Sequence, residues 1–176
     1  TTLFRSAGAS QDTEVKLRWV YSGDLTEENL AENFKGIDGM LIAPGFGDRG
    51  IEGKILAAKF ARENKIPLLG ICLGMQIMTI EFARNVLGLK DANSAEFDLT
   101  TKNPVISLME EQKNVVDKGG TMRLGAWKCQ LKPHTKLIEM YGNKNITERH
   151  RHRYEFNSDY LEDFEKNGLY ASGINP

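Results

Sequence analysis

Two short apolar runs, GMLIA at residues 39–43 and IPLLGI at residues 66–71, are separated by one amphipathic stretch. Each run is too short for a helix and lacks polar alternation, as expected of strands buried on both faces. Between them, IEGKILAAKFAREN sets Ile51, Ile55 and Ala58 at helical spacing, with Leu56 and Phe60 beside them. A second helical stretch, GMQIMTIEFARNVLG, follows the second run. Strand, helix, strand, helix in this order predicts a right-handed parallel α/β unit. In such a unit the carboxyl ends of neighbouring strands open onto one crevice, and sites form there. The residues at those two ends are therefore the first to examine for chemistry.

The second run ends in Gly70-Ile71-Cys72-Leu73-Gly74, with a helix directly behind it. This is G-x-C-x-G, the cysteine counterpart of the nucleophile elbow. A nucleophile there sits on a strained strand-to-helix turn, and the flanking glycines let the neighbouring backbone come close. The helix amino terminus offers partial positive charge to a thiolate, the reactive species. The N–H of Leu73 points to where an oxyanion would form. The competing reading is a small buried hydrophobe in a tight turn; the paired glycines and the following helix favour the nucleophile for Cys72. Cys129, on an alternating strand, is read as structural.

The first run ends in PGFGDRG, in which Gly45-x-Gly47-x-x-Gly50 has the spacing of a dinucleotide loop. That fold wants an acidic residue at the end of the next strand, and here the strand ends in Gly70-Ile71-Cys72. A P-loop wants Lys and Ser/Thr after the last glycine, and Ile51 and Glu52 stand there. The loop is predicted to lie beside Cys72 and to lend N–H groups to an oxyanion hole, not to cradle phosphate.

Elsewhere the chain changes texture. VKLRWVY places Val15, Leu17, Trp19 and Tyr21 on one face, a strand pattern. NPVISLM, GGTMRLGAWKCQLK (Trp127, Cys129 and Leu131 alternating) and RHRYEFN read as strands, YLEDFEKNG as a short helix, and LYASG as a final strand start. The fold class expected is α/β and flavodoxin-like, a central, mostly parallel sheet flanked by helices with antiparallel additions. With no repeat or linker, the 176 residues read as one domain. A net charge of -1 gives no general attraction to nucleic acid or to acidic membranes. No apolar run approaches the roughly 20 residues of a membrane span. Neither of the two cysteines points to an oxidising compartment, so a reduced, cytoplasmic setting is expected.

GFGDRGIEGKILAAKFARENKIPLLGICLGMQ, DANSAEFD, GGTMRLG and ERHRHRYEFN together resemble the glutamine amidotransferase domain (class I, triad type) of the CTP synthases. GICLGMQ alone would indicate the wider class; GGTMRLG and RHRHRYE are more specific. The resemblance covers nearly all of the chain. It implies a glutaminase in which Cys72 forms a γ-glutamyl thioester and the N–H groups of Gly45 and Leu73 hold the oxyanion. It further implies that Gln76, Glu96 and Arg153 bind L-glutamine. Glu96 suits the α-ammonium, and Arg153 can fork onto the α-carboxylate. Phe46 lies in a loop tied to the family's GTP response and is a candidate base-stacking residue. The ammonia would serve a synthase domain of the same parent chain that aminates UTP to CTP. ATP, Mg2+ and the activator GTP are implied for that full enzyme, as is a homotetramer; the glutaminase domain itself needs no cofactor.

The chain departs from the family at two points. The family loop P-G-G-F-G reads Pro44-Gly45-Phe46-Gly47 after Ala43, so proline removes one backbone donor while Gly45 keeps its own. The family's His-x-Glu base pair has no counterpart among His134, His150 and His152. His134 reads as a surface turn. His150 and His152 share a strand face, but without an evident third ligand no metal is expected. The first strand, the His-x-Glu segment and the synthase domain are expected to lie outside the sequence, leaving the fragment with negligible glutaminase activity. Another triad amidotransferase, or a glutaminase-dead binding or regulatory module of the same fold, is the alternative.

Overall fold

The computed structural model describes residues 2–45, 47, 49–108 and 123–176. Its centre is the unit that the apolar runs predict. Strand β1 (Met40–Ile42) leads through helix α3 (Ile51–Glu63) to β2 (Leu68–Gly70), and α4 (Leu73–Asn85) follows. The preceding residues form helices α1 (Thr2–Ser10) and α2 (Leu30–Asn33). β1 and β2 pair in parallel, with Met40 opposite Leu68 and Ile42 opposite Gly70. The expected burial on both faces is not met: Ile42 is buried and Leu68 packs against the main core, whereas Leu69 is 59% exposed on the opposite face of β2.

Helix α4 is buried on most of its faces, through Leu73, Ile77, Ile80, Phe82 and Ala83 among others. It packs with Ile51, Ile55 and Ala58 of α3 into the main core. Burying each of the large aliphatic side chains is worth about 1.5–3 kcal/mol. One charge is carried into this packing. Glu81, 3% exposed, accepts from Arg62 Nε at 3.1 Å and from the same guanidinium's terminal nitrogen at 2.9 Å. Those hydrogen bonds hold the Arg62 guanidinium above its ordinary pKa. At the other end of α3, Glu52 takes Arg84 at 3.0 Å, so two ion pairs fasten α3 to α4.

The remaining strands are β3 (Asn93–Ser94), β4 (Pro104–Leu108), β5 (Arg123–Leu131), β6 (Asn145–His152), β7 (Tyr154–Phe156) and β8 (Gly173–Ile174), with short helices α5 (Lys136–Tyr141) and α6 (Leu161–Lys166). The expected single mixed sheet is divided among the described residues into three: β1-β2, β3-β4-β7 and β6-β5-β8. Parallel pairing is confined to β1 with β2 and β3 with β4, and the antiparallel additions are present as expected. Met109 and the stretch 119–122, read above as parts of strands, lie outside the described residues.

Three expectations are corrected. VKLRWVY forms no strand; Val15 is 37%, Trp19 75% and Tyr21 59% exposed. Alternation marks a face, but a strand also needs a neighbour's edge. None of the described strands supplies one. Arg18 instead donates to the carbonyls of Asn33 and Lys35, both at 2.9 Å. RHRYEFN is not one strand: Arg153 is a bend, β6 pairs with β5, and β7 pairs with β4. The last strand is Gly173–Ile174, beyond most of LYASG, because its pairing is to Gln130 and Leu131.

Candidate active site

Cys72 stands between the end of β2 and the first residue of α4 with φ 57° and ψ -108°. For a residue with a Cβ, such a conformation costs of the order of 1–2 kcal/mol. The flanking glycines show what holds it. A Cβ added at Gly70 would lie 2.5 Å from the carbonyl of Gly74 and 2.6 Å from Met78 Sδ. One added at Gly74 would overlap the Ile42 carbonyl oxygen. That same oxygen accepts the N–H of Ile71 at 3.1 Å. The G-x-C-x-G spacing is thus a packing requirement, in which the first turn of α4 lies directly on the end of β1.

The helix amino terminus closes beneath the cysteine. Gly74 N–H donates to Ile71 O at 2.9 Å, and the N–H groups of Met75 and Gln76 donate to Cys72 O at 3.0 and 3.3 Å. The first helical N–H, that of Leu73, has no acceptor within its own helix. It is therefore the donor available beside the Cys72 side chain. Gly45 comes close from the other strand end: a Cβ built on it would meet Leu73 Cδ2 at 3.2 Å. The two residues expected to hold an oxyanion are thus brought together, with Pro44 immediately before them. Gly50, the last glycine of the same loop, caps α3 with φ 68°. Phe46 lies outside the described residues. Cys72 and Cys129 are both free and half-buried.

The residues expected to bind glutamine lie on α4, on the turn after β3 and at the bend after β6. Gln76, in the first turn of α4, is 5% exposed, and its Nε2 donates to Glu96 Oε2 at 3.4 Å. Its Oε1 is buried without a partner. Glu96 itself is exposed, on the turn that leaves β3. Fully buried Ser94 shapes that turn by accepting the Glu96 N–H on Oγ at 3.2 Å. Arg153 sits at the bend between β6 and β7, and its Nε is also buried without a partner. Ser94 is level with Ile106, and Leu108 with Tyr154. Glu96 and Arg153 therefore leave the β3-β4-β7 sheet at the same end, two strand spacings or about 10 Å apart. A carboxylate and a guanidinium so placed can bracket a small zwitterion.

His134 occupies an exposed turn with φ 63°, as read. His150 and His152 face each other edge to face, ring centroids 5.5 Å apart. The structure adds a neighbour that sequence reading missed: Glu155 Oε1, 3.9 Å from His150 Nδ1. Only the Arg153 bend brings Glu155 to that face, and strand periodicity alone gives no sign of it. Arg62 and Ser94 were likewise overlooked, being ordinary in sequence and significant only through Glu81 and Glu96.

Comparison with known proteins places the chain in a family. Residues 1–176 match the family described as glutamine amidotransferase class-I. The CTP synthase of Cytophaga hutchinsonii is 60% identical over 173 residues, 98% of this chain and 32% of that protein. The CTP synthase of Bacillus subtilis is 54% identical over 172 residues, with the same coverage of 98% and 32%. The chain thus spans about a third of the length of these relatives. A solved structure, described as Trypanosoma brucei CTPS, glutaminase domain with bound acivicin, superposes with a TM-score of 0.90 at 36% identity, covering 99% of this chain and 67% of that one. The chain belongs to the class-I glutamine amidotransferase family. No helix among its described residues is long and apolar enough to cross a membrane.

Proposed function

We propose, with that family membership as premise, that this chain is the glutaminase part of a CTP synthase. The observation that carries the reading is Cys72, held in a strained turn at the head of α4 with the Gly45 loop against Leu73. In the proposed reaction the Cys72 thiolate attacks the side-chain amide carbon of glutamine. The carbonyl oxygen becomes an oxyanion between the N–H groups of Gly45 and Leu73. The C–N bond then breaks as the leaving nitrogen takes the proton given up by the Cys72 thiol, carried by a general base outside the assigned residues; ammonia departs, and a γ-glutamyl thioester remains for water to hydrolyse to glutamate. The buried, unpartnered Gln76 Oε1 and Arg153 Nε support a polar ligand beside the nucleophile, because such atoms are costly without one. Glu96 would take the α-ammonium and Arg153 the α-carboxylate. We assign none of His134, His150 and His152 to the general base.

The ammonia is proposed to pass to a synthase domain that uses ATP and Mg2+ to aminate UTP, under GTP activation. Phe46 is the candidate contact for GTP, and the parent enzyme is proposed to be a tetramer in the cytoplasm. The related trypanosomal domain is described with bound acivicin, so acivicin or another glutamine-analogue electrophile is the direct probe. The expected result is one adduct on Cys72, prevented by L-glutamine, together with glutamine-dependent conversion of UTP to CTP by the full-length protein. Labelling shared equally between Cys72 and Cys129, unaffected by glutamine, would favour the inert binding module instead.

A further inference from the structure

The proposed glutaminase chemistry does not use His150, His152 or Glu155. All three side chains are half-buried, and one donor atom from each lies within 4.8 Å of the others. Two come from alternate positions of β6, and the third enters from β7 because Arg153 bends the chain between them. His150 Nδ1 is buried without a hydrogen-bond partner and lies 3.9 Å from Glu155 Oε1, beyond hydrogen-bond reach. An imidazole nitrogen and a carboxylate oxygen held at that separation leave space for an ion between them. The edge-to-face arrangement of the two imidazoles, with centroids 5.5 Å apart, lets ring nitrogens of both converge without the rings stacking.

We infer that His150, His152 and Glu155 form a binding site for a divalent first-row transition metal, with Zn2+ the best match. Two imidazole nitrogens and one carboxylate oxygen make a borderline N/O donor set, which suits zinc and disfavours Mg2+ and Ca2+. Zinc–ligand bonds of about 2.0–2.1 Å in a tetrahedron place donors about 3.4 Å apart. The donors, all within 4.8 Å of one another, need to draw together by about 1.4 Å at most to reach that spacing. The fourth position would be left to water or to an incoming ligand. Arg149 and Arg151 occupy the alternate, exposed positions of β6, so their guanidinium groups lie on the face opposite the imidazoles. The flanking Arg153 stands at the bend itself, and its charge opposes the ion.

The test uses full-length protein, freed of metal with a chelator and titrated with Zn2+ in a calorimeter. One equivalent per chain is expected at pH 7.5. His152→Gln and Glu155→Gln should each weaken binding at least tenfold, and the double variant should abolish it, with unchanged circular dichroism showing that the fold survives. Co2+ in place of Zn2+ should give visible d–d bands of tetrahedral intensity without thiolate-to-metal charge transfer. Absence of stoichiometric binding would overturn the inference. So would a charge-transfer band assigning the ion to Cys72 or Cys129, or binding that survives the double substitution.

Discussion

In the crossover unit of residues 40–85, α4 alone places Leu73, Ile77, Ile80, Phe82 and Ala83 in the core, whereas in the ribbon of β5 and β6 only Leu131, among the described residues, is buried. The two regions are held by different forces. The crossover unit rests on close contact, to the point that backbone touches backbone at Gly70, Gly74 and Ile42. The ribbon rests on a ladder of paired strands running from Arg123 opposite His152 to Gln130 opposite Asn145. The cysteine is mounted on the first, and the residue expected to grip the substrate carboxylate stands where the second ends. The position of Cys72, the proposed nucleophile, is thus fixed by shape, while Arg153, the proposed recognition residue, is attached to a lightly buried element.

The sharpest way to break this comparison is Cys72→Gly. Glycine takes a positive φ without strain, so stability should rise by about 1 kcal/mol in urea denaturation. Glutamine hydrolysis by the full-length protein should fall about 10,000-fold or more, measured as ammonia release. A loss of stability would mean that Cys72 is not strained. Gly74→Ala comes next: a methyl against the Ile42 carbonyl should cost about 3 kcal/mol, seen as a lower urea midpoint. Arg62→Met should cost about 2 kcal/mol by leaving the buried Glu81 carboxylate without its cation and with only Asn85 Nδ2 donating to it, and adding Glu81→Gln should restore part of the loss.

Two smaller tests lie outside the crossover unit, one just beyond β5 and one on β6. Glu165 accepts from Lys132 Nζ at 2.7 Å, and that hydrogen bond holds the Glu165 carboxyl below its ordinary value of 4.5. A carboxyl lowered in the folded state adds stability above its ordinary pKa and loses it as pH falls through the folded one. Melting curves of Glu165→Gln and the parent should therefore separate slightly at pH 7 and converge as pH falls through the lowered folded pKa, below 4.5. Thr147→Ala, on the exposed face of β6, should change stability by less than about 0.5 kcal/mol. A cost comparable to that of Gly74→Ala would erase the distinction between the regions.

The crossover unit was legible in the sequence because its signals are local. Apolar runs, helical spacing and glycines two residues either side of Cys72 each act within a few residues. The dinucleotide spacing of Gly45, Gly47 and Gly50 carries no acid on the next strand, and in the structure Gly50 caps α3 while Gly45 lies against Leu73. What the sequence withheld depends on distant partners. Val15 to Tyr21 alternate as a strand should, yet pairing is a property of two segments and no described strand takes them. β3 and β8 have two residues each and exist only through their neighbours. The candidate site divides the same way: Cys72 and Leu73 are evident from the elbow, while Gln76, Glu96 and Arg153 are named by resemblance, and the fold brings Gln76 to Glu96 and puts Arg153 at the same end of the sheet as Glu96. Glu155 joined the histidines only because a bend interrupts the alternation of β6.

That bend has a mechanical consequence. Arg153 is the single residue between a strand of the β6-β5-β8 sheet and a strand of the β3-β4-β7 sheet. A ligand anchored on its guanidinium acts as a rivet at the seam, coupling a stiff body to a compliant one. Occupancy would then register as slower amide exchange along β6 as far as Asn145, many residues from anything the ligand touches.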